Sequence, residues 1–449
     1  MPANSHVHRK REVSRLSRGQ WRIICLASLG GSLEFYDFII YGIFVQYISA
    51  QFFPADDPYV SLILSFSVLA LGFLARPFGG ALLGTLGDRF GRRPVFIASL
   101  GLTTLATIAI GLLPGYESWG LAAPLLLVAL RLVQGICLGG ELPGAITYAV
   151  ETAPKRAGLA CGFIIFCVNV GVLVATLVNL GIQYALPAQD VASYGWRIAF
   201  LFGGVIGIVS FALRRKLEES PEFTNLHGKA AKHPLGEIVR GHGRSVLLAA
   251  GVAAIIAGFN GLLYGFIPAF LVKSLGYPAP DVALAMAVAL VLSSAGLIVA
   301  GWAGDFISPR MILRGGSLLM LVLVVPLFLL MVNKGASIVL VLGLLSLAFS
   351  PVSGIWPSII AGLFPTQVRF TGIALSYNLS VTLLSGFAPL AATMLIERTQ
   401  IPAAPALYIA FCAALSLWSS FLISGRSVPA TNREAGTEAP FEASGVPPL

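Results

Sequence analysis

The stretch GFLARPFGGALLGTLGDRFGRRP, residues 72–94, carries an apolar run to an abrupt stop at Gly87-Asp88 and follows it with Arg89, Arg92 and Arg93. Its glycines, Gly91 among them, permit a tight turn with close backbone approach, so it reads as a helix end and a short charged loop. The pattern returns after another apolar run as GWAGDFISPR, residues 301–310. A loop repeated in this way divides the chain into two halves built alike. That is the parallel-repeat arrangement of carriers that rock about a midplane site. A channel or a membrane enzyme gives no reason for it.

Outward from this stretch, composition decides the setting. Of 449 residues, 57% are hydrophobic and only 11% charged, against roughly 25% charged in soluble domains. Apolar runs of this length face lipid, where every backbone group must be paired internally, so the spans are helices or a closed barrel. Runs this long without ten-residue alternation are helices. The expected fold class is an all-α membrane protein of twelve transmembrane helices in two six-helix bundles. The helices are placed at 21–46, 61–86, 94–113, 121–149, 157–185 and 196–213, then at 245–271, 282–303, 311–333, 336–361, 369–396 and 403–424. Residues 1–20 are an N-terminal tail, 21–213 the first bundle, 214–244 a central loop that reads as a linker, 245–424 the second bundle, and 425–449 a disordered tail.

Lys and Arg set the orientation. Nearly all of the 29 fall on one side, at the N-terminus, residues 89–93, Lys155 and Arg156, the central loop, Arg310, Arg314, Arg369 and the C-terminus. Only Arg197, Lys273, Lys334 and Arg398 fall on the other, and Arg76 and Arg131 lie within spans. Both termini are therefore expected in the cytoplasm, in an inner-membrane protein whose first span is retained rather than cleaved. The net charge of +9 is a topology signal, and no nucleic-acid partner is implied. Cys25, Cys137, Cys161, Cys167 and Cys412 form no metal or disulfide spacing. No P-loop or strand-led dinucleotide motif is present, so neither a cofactor nor ATP drive is expected. His6, His8, His227, His233 and His242 all lie outside the spans, which leaves proton coupling to carboxylates.

A charge inside a bilayer span is expensive unless paired or hydrated, yet the first half places Glu34, Asp37, Arg76, Arg131 and Glu141 there. Glu34, Asp37 and Tyr41 recur on one helix face. At about 1.5 Å per residue, Asp37 lies roughly 22 Å beyond Arg22, and Arg131 roughly 15 Å from the opposite end of its helix, so they reach similar depths. Either Asp37 or Glu34 is a proton-titrating carboxylate, with Arg131 as its partner or as the clamp for an anionic substrate and Tyr41 a candidate substrate contact, or the charges are a structural buried pair that fixes packing. Glu141 is a candidate second proton site or, the preferred alternative, the partner of Arg76. Pro77 can kink the second helix beside Arg76. In the second half Asn260, Tyr264, Trp356, Tyr377 and Asn378 are candidate ligand contacts, with packing as the alternative for each.

Five fragments in order, SLEFYDFIIYG at 32–42, residues 72–94, RLVQGICLGGE at 131–141, ETAPKRAG at 151–158 and LFPTQVRFTGIALSYN at 363–378, resemble the major facilitator superfamily and, within it, the metabolite:proton symporter family. The resemblance covers nearly all of residues 20–425. It implies import of small organic acids or zwitterionic osmolytes with protons, and a role for Arg131 in proton coupling. Gly87, Asp88, Arg89, Gly91, Arg92 and Arg93, with Glu151 and Arg156 resembling the companion motif, can bridge neighbouring helix ends in one conformational state and are assigned to gating, a solvated positive-inside loop being the alternative. Arg76, Asp305 and Arg369 join the gating set. Phe306 stands where the second loop motif commonly has Arg, and Gly362 where Glu commonly precedes LFPT, so the stronger latch is expected on the first loop. The leading expectation is a monomeric symporter whose partners are lipid, protons and a di- or tricarboxylate. Proline or betaine uptake, drug efflux and a non-transporting receptor are the alternatives, and an enzyme is the least favoured.

Overall fold

The computed structural model describes residues 15–54, 58–226 and 231–423. Residues 1–14 and the tail expected to be disordered lie outside the described residues. Among those described, twelve helical spans are long and apolar enough to cross a membrane. They are α1 (Arg18–Phe52), α2 (Pro58–Phe90), α3 (Arg92–Leu112), α4 (Ala122–Thr152), α5 (Ala157–Ala185), α6 (Trp196–Arg214), α7 (Gly243–Gly265), α8 (Ala279–Gly304), α9 (Pro309–Val332), α10 (Ile338–Ala361), α11 (Arg369–Ser380, resuming at Ala388–Thr399) and α12 (Pro405–Leu422). The first six make one bundle and the last six the other.

Most spans turn large apolar side chains outward, as lipid permits, while α1 buries its own. Phe78, Leu82 and Phe90 are exposed along α2, and Phe411, Trp418 and Phe421 along α12. The α1 start is fixed by a capping box, in which Ser17 accepts from the Gln20 amide and the Gln20 side chain accepts from the Ser17 amide. Gly91, at φ +107°, makes the turn between α2 and α3 in a backbone region closed to most residues.

Three helices differ from expectation. α2 passes through Pro77 without interruption. α7 breaks at Phe266, and the chain continues through Ile267–Ala269 and a π-turn at Phe270–Ser274. α11 opens into a π-turn at Val381–Ser385. Pro268 and Pro389 follow these positions, and each lacks the N–H that would bond the carbonyl four residues earlier.

The central loop is more than a linker. Arg214 belongs to α6 and is fully buried. Ser220 caps the short helix Pro221–Thr224, and a second short helix, Pro234–Gly241, follows.

Candidate functional site

The deepest charges gather in the first bundle. Arg131 Nη1 lies 3.0 Å from Asp37 Oδ2, and both side chains are almost wholly buried. The guanidinium also lies 3.9 Å from the centre of the Tyr41 ring and 5.5 Å from that of Phe200, which adds a cation–π contribution of about 1–2 kcal/mol in a desolvated site. Tyr41 itself donates to the Ser65 carbonyl at 3.1 Å. The Thr107 hydroxyl is within reach of Asp37 Oδ1 (3.1 Å) and of the Thr103 carbonyl (3.0 Å), and accepts from Gln134 Nε2 at 2.9 Å. With one proton to give, it serves either Asp37 or Thr103. The pair borders a cavity of about 40 Å³, lined also by Glu34, Thr103 and Gln134, which is room for water. Glu34 Oε2 is buried there with no partner.

Glu141 lies elsewhere, and its expected pairing with Arg76 is corrected. It forms an ion pair with Arg214 and accepts from Ser99 at 3.1 Å. Arg214 also donates to the Leu26, Ala27 and Phe96 carbonyls. Gly139 brings α4 directly against the Arg76 carbonyl of α2. Glu141 consequently turns toward α3 and α6, while the Arg76 side chain turns toward the other bundle. Glu141 thus ties α4 to α3 and α6 and does not line the cavity.

Arg76 instead donates through Nε to Asn378 Oδ1 at 3.2 Å. Asn378 is held by donation to the Gly139 carbonyl (2.6 Å) and the Ala374 carbonyl (2.8 Å). Tyr377 stacks on Trp356 with centroids 5.0 Å apart. Tyr264 is partly exposed and Asn260 half-buried on α7. Of the five candidates from the second half, the structure thus brings Tyr377 and Asn378 to Arg76, with Trp356 stacked on Tyr377.

The basic face is latched. Asp88 accepts from the Phe370 amide (3.2 Å), the Thr371 amide (2.8 Å) and the Thr371 hydroxyl (2.7 Å), capping the start of α11. Arg92 lies 3.2 Å from Asp88 and 3.3 Å from Glu151, and donates to the Thr366 carbonyl. Arg369 bridges to Glu151 at 3.1 Å and to Glu222 at 2.5 Å. The repeat of this device sits between α8 and α5. Asp305 accepts from the Gly158 amide (2.9 Å) and the Leu159 amide (3.3 Å), with Arg156 at 3.7 Å. Burial pushes the Asp305 carboxyl above its ordinary range, against the pull of those amides and Arg156. Gly87 packs on the Phe370 ring, whereas Arg89 lies over Phe90 at the edge, outside the latch.

Sequence reasoning missed the loop's part in this. Glu219 accepts from the Arg92 and Arg93 amides at 3.1 Å each, capping α3. Arg93 donates to the Arg215 carbonyl at 3.1 Å, and Ser220 donates to Glu151 at 2.5 Å. Serine before proline at 220–221 is a helix-start signal that could have pointed there.

A family model described as Major Facilitator Superfamily matches residues 27–389. The chain belongs to the major facilitator superfamily. The chain is 32% identical over 404 residues to the citrate-proton symporter of Klebsiella pneumoniae, covering 89% of this chain and 91% of the relative. It is 30% identical over 434 residues to the proline/betaine transporter of Salmonella typhimurium, covering 90% and 84%. A putative proline/betaine transporter of Staphylococcus aureus (strain COL) is 30% identical over 399 residues, covering 86% and 84%. Among solved structures, the proton:xylose symporter XylE bound to 6-bromo-6-deoxy-D-glucose superposes with a TM-score of 0.74 at 19% identity, over 90% of this chain and 94% of that one. Superfamily membership makes this a multi-pass transport protein.

Proposed function

We propose that this major facilitator protein is a proton-coupled symporter of the inner membrane, importing a small organic acid, a di- or tricarboxylate, by alternating access. The observation that carries the proposal is the buried Asp37–Arg131 pair bordering a cavity with room for water. A proton arriving on Asp37 cancels the charge that holds Arg131, and Thr107 can then turn its hydroxyl to the Thr103 carbonyl. Protonation thereby changes both the electrostatics and the hydrogen bonding of the first bundle, which is what coupling needs. The basic face is taken as cytoplasmic from its Lys and Arg, with both termini on that side. Latched there, the site is reached from the periplasm, and opening the Asp88 and Asp305 caps turns it inward.

The test is proton uptake by proteoliposomes loaded with a pH dye and challenged with citrate, 2-oxoglutarate, shikimate, proline and glycine betaine in turn. Acidification by a di- or tricarboxylate that vanishes in Asp37→Asn supports the proposal. Silence with all five in folded protein sinks it.

A second reading, uptake of a zwitterion, draws on the proline/betaine transporters among the relatives and on Tyr264, whose partly exposed ring can face a cation. In the same assay it requires proline or betaine alone to give the signal.

A further inference from the structure

Among the described residues five arginines are buried: Arg76, Arg92, Arg131, Arg214 and Arg369. Arg92, Arg131, Arg214 and Arg369 each form an ion pair with a carboxylate. Arg76 has no carboxylate within ion-pair distance among the described residues, and its Nη2 is buried with no partner. The carboxylate that acts on it, Glu34, stays beyond ion-pair distance, and a buried charge without a contact counter-ion is strongly disfavoured, so this position favours an anion at the guanidinium itself.

Its surroundings specify what kind. The Arg76 guanidinium lies 5.6 Å from the Tyr377 ring centre and 5.7 Å from that of Phe73, which hold it from two sides. Asn378 spends its amide group on two carbonyls and offers its oxygen to Arg76 Nε, which fixes the fork. Trp356, stacked on Tyr377, has its indole N–H buried and unpartnered. Guanidinium and indole are donors only. Two unsatisfied donors about one aromatic ring call for an acceptor, and a carboxylate answers the charge as well.

We propose that Arg76, oriented by Asn378 and assisted by Trp356, receives the carboxylate of the transported substrate. This rests on the reading of the chain as a symporter of carboxylate-bearing solutes, and it moves the substrate clamp away from Arg131. Gly139 lies against the Arg76 carbonyl, and Arg131 is eight residues earlier on α4. The two arginines are thus about 12 Å apart along the bundle. Arg131 keeps Asp37 for the proton, and Arg76 is free for the solute. Arg76 is on the first bundle while Trp356, Tyr377 and Asn378 are on the second, so a bound carboxylate is shared by the two bodies that must move.

The test is equilibrium binding of citrate, 2-oxoglutarate, proline and glycine betaine to the purified full-length protein by isothermal titration calorimetry, with prolinamide as the carboxylate-free control. Wild type is expected to bind at least one of the four acids and not prolinamide. Arg76→Gln should weaken that binding about 30-fold or more, the scale for truncating one side of a buried charge pair. Arg76→Lys should recover part of the loss. Trp356→Phe, which keeps the stack and removes only the N–H, should weaken binding about fivefold. Binding by Arg76→Gln at wild-type affinity overturns the proposal, as does a wild type that binds none of the acids. Binding that depends on Arg76, in a protein that takes up no protons in the dye assay, sustains the site and overturns the symport reading instead.

Discussion

The two bundles are built alike and furnished differently. The first buries Glu34, Asp37, Arg76, Arg131, Glu141 and Arg214, and its π-turn, Val191–Gly195, stands at the start of α6. The second has aromatic stacks in their place, Phe259 on Phe349 at 4.1 Å and Phe266 on Phe270 at 5.0 Å, and its α7 and α11 are broken. Charges that must keep register need rigid supports, because a misplaced buried charge is costly. Helices that must bend are better lined with side chains tolerant of sliding. Under the proposed function, the difference fits proton handling in the first bundle and flexing in the second.

The sharpest way to break this division is Asp37→Asn. It should reduce pH-gradient-driven uptake to the level of empty liposomes while solute counterflow, which needs no net proton movement, continues. Loss of both would make Asp37 a structural residue, and loss of neither would move coupling elsewhere, with Glu34 the next candidate.

Next in size is Arg214→Ala, which strands Glu141 in the core and should destabilise the protein by about 3–5 kcal/mol. For contrast in the second bundle, Arg314→Ala removes hydrogen bonds to Ser420 at 3.3 and 2.9 Å from a partly buried side chain and should cost about 1 kcal/mol. Urea unfolding in detergent compares them. Equal losses would remove the electrostatic contrast between the bundles.

These residues also mark how far sequence reasoning reached. The depth match of Asp37 and Arg131 was legible, since helical rise converts residue count into distance. The cap role of Asp88 and Asp305 was foreshadowed by the repeated loop. What escaped was rotation about the helix axis. Whether Arg76 faces Glu141 or Asn378 depends on how closely Gly139 lets α4 approach α2, a property of the packed pair and of neither helix alone. Arg214 was hidden in the positive-inside count, and Glu219, Ser220 and Glu222 in a segment that reads as a polar linker.

The latches offer a smaller contrast. Asp88 binds two amides, a hydroxyl and Arg92, whereas Asp305 binds two amides and the more distant Arg156. Charge-assisted bonds contribute about 1.5–3 kcal/mol each. Asp88→Asn should therefore raise the inward-open population about tenfold and Asp305→Asn about threefold, read by spin-label distances across the basic face. An equal response would show that the buried Arg92–Glu151–Arg369 cluster adds nothing to the first latch.

The smallest effect is expected where the second bundle bends. Pro268 leaves the Tyr264 carbonyl without an α-helical donor, and the chain takes up the mismatch at Phe266 and in the π-turn that follows. Pro268→Ala restores the donor without adding charge or bulk. If the break is a hinge, the variant should bind its acid with unchanged affinity and turn over about two- to threefold more slowly, because hinge changes act on the conformational step. If affinity falls and turnover does not, the break shapes the ligand site around Tyr264, and the second bundle is more than the flexing partner of a charged one.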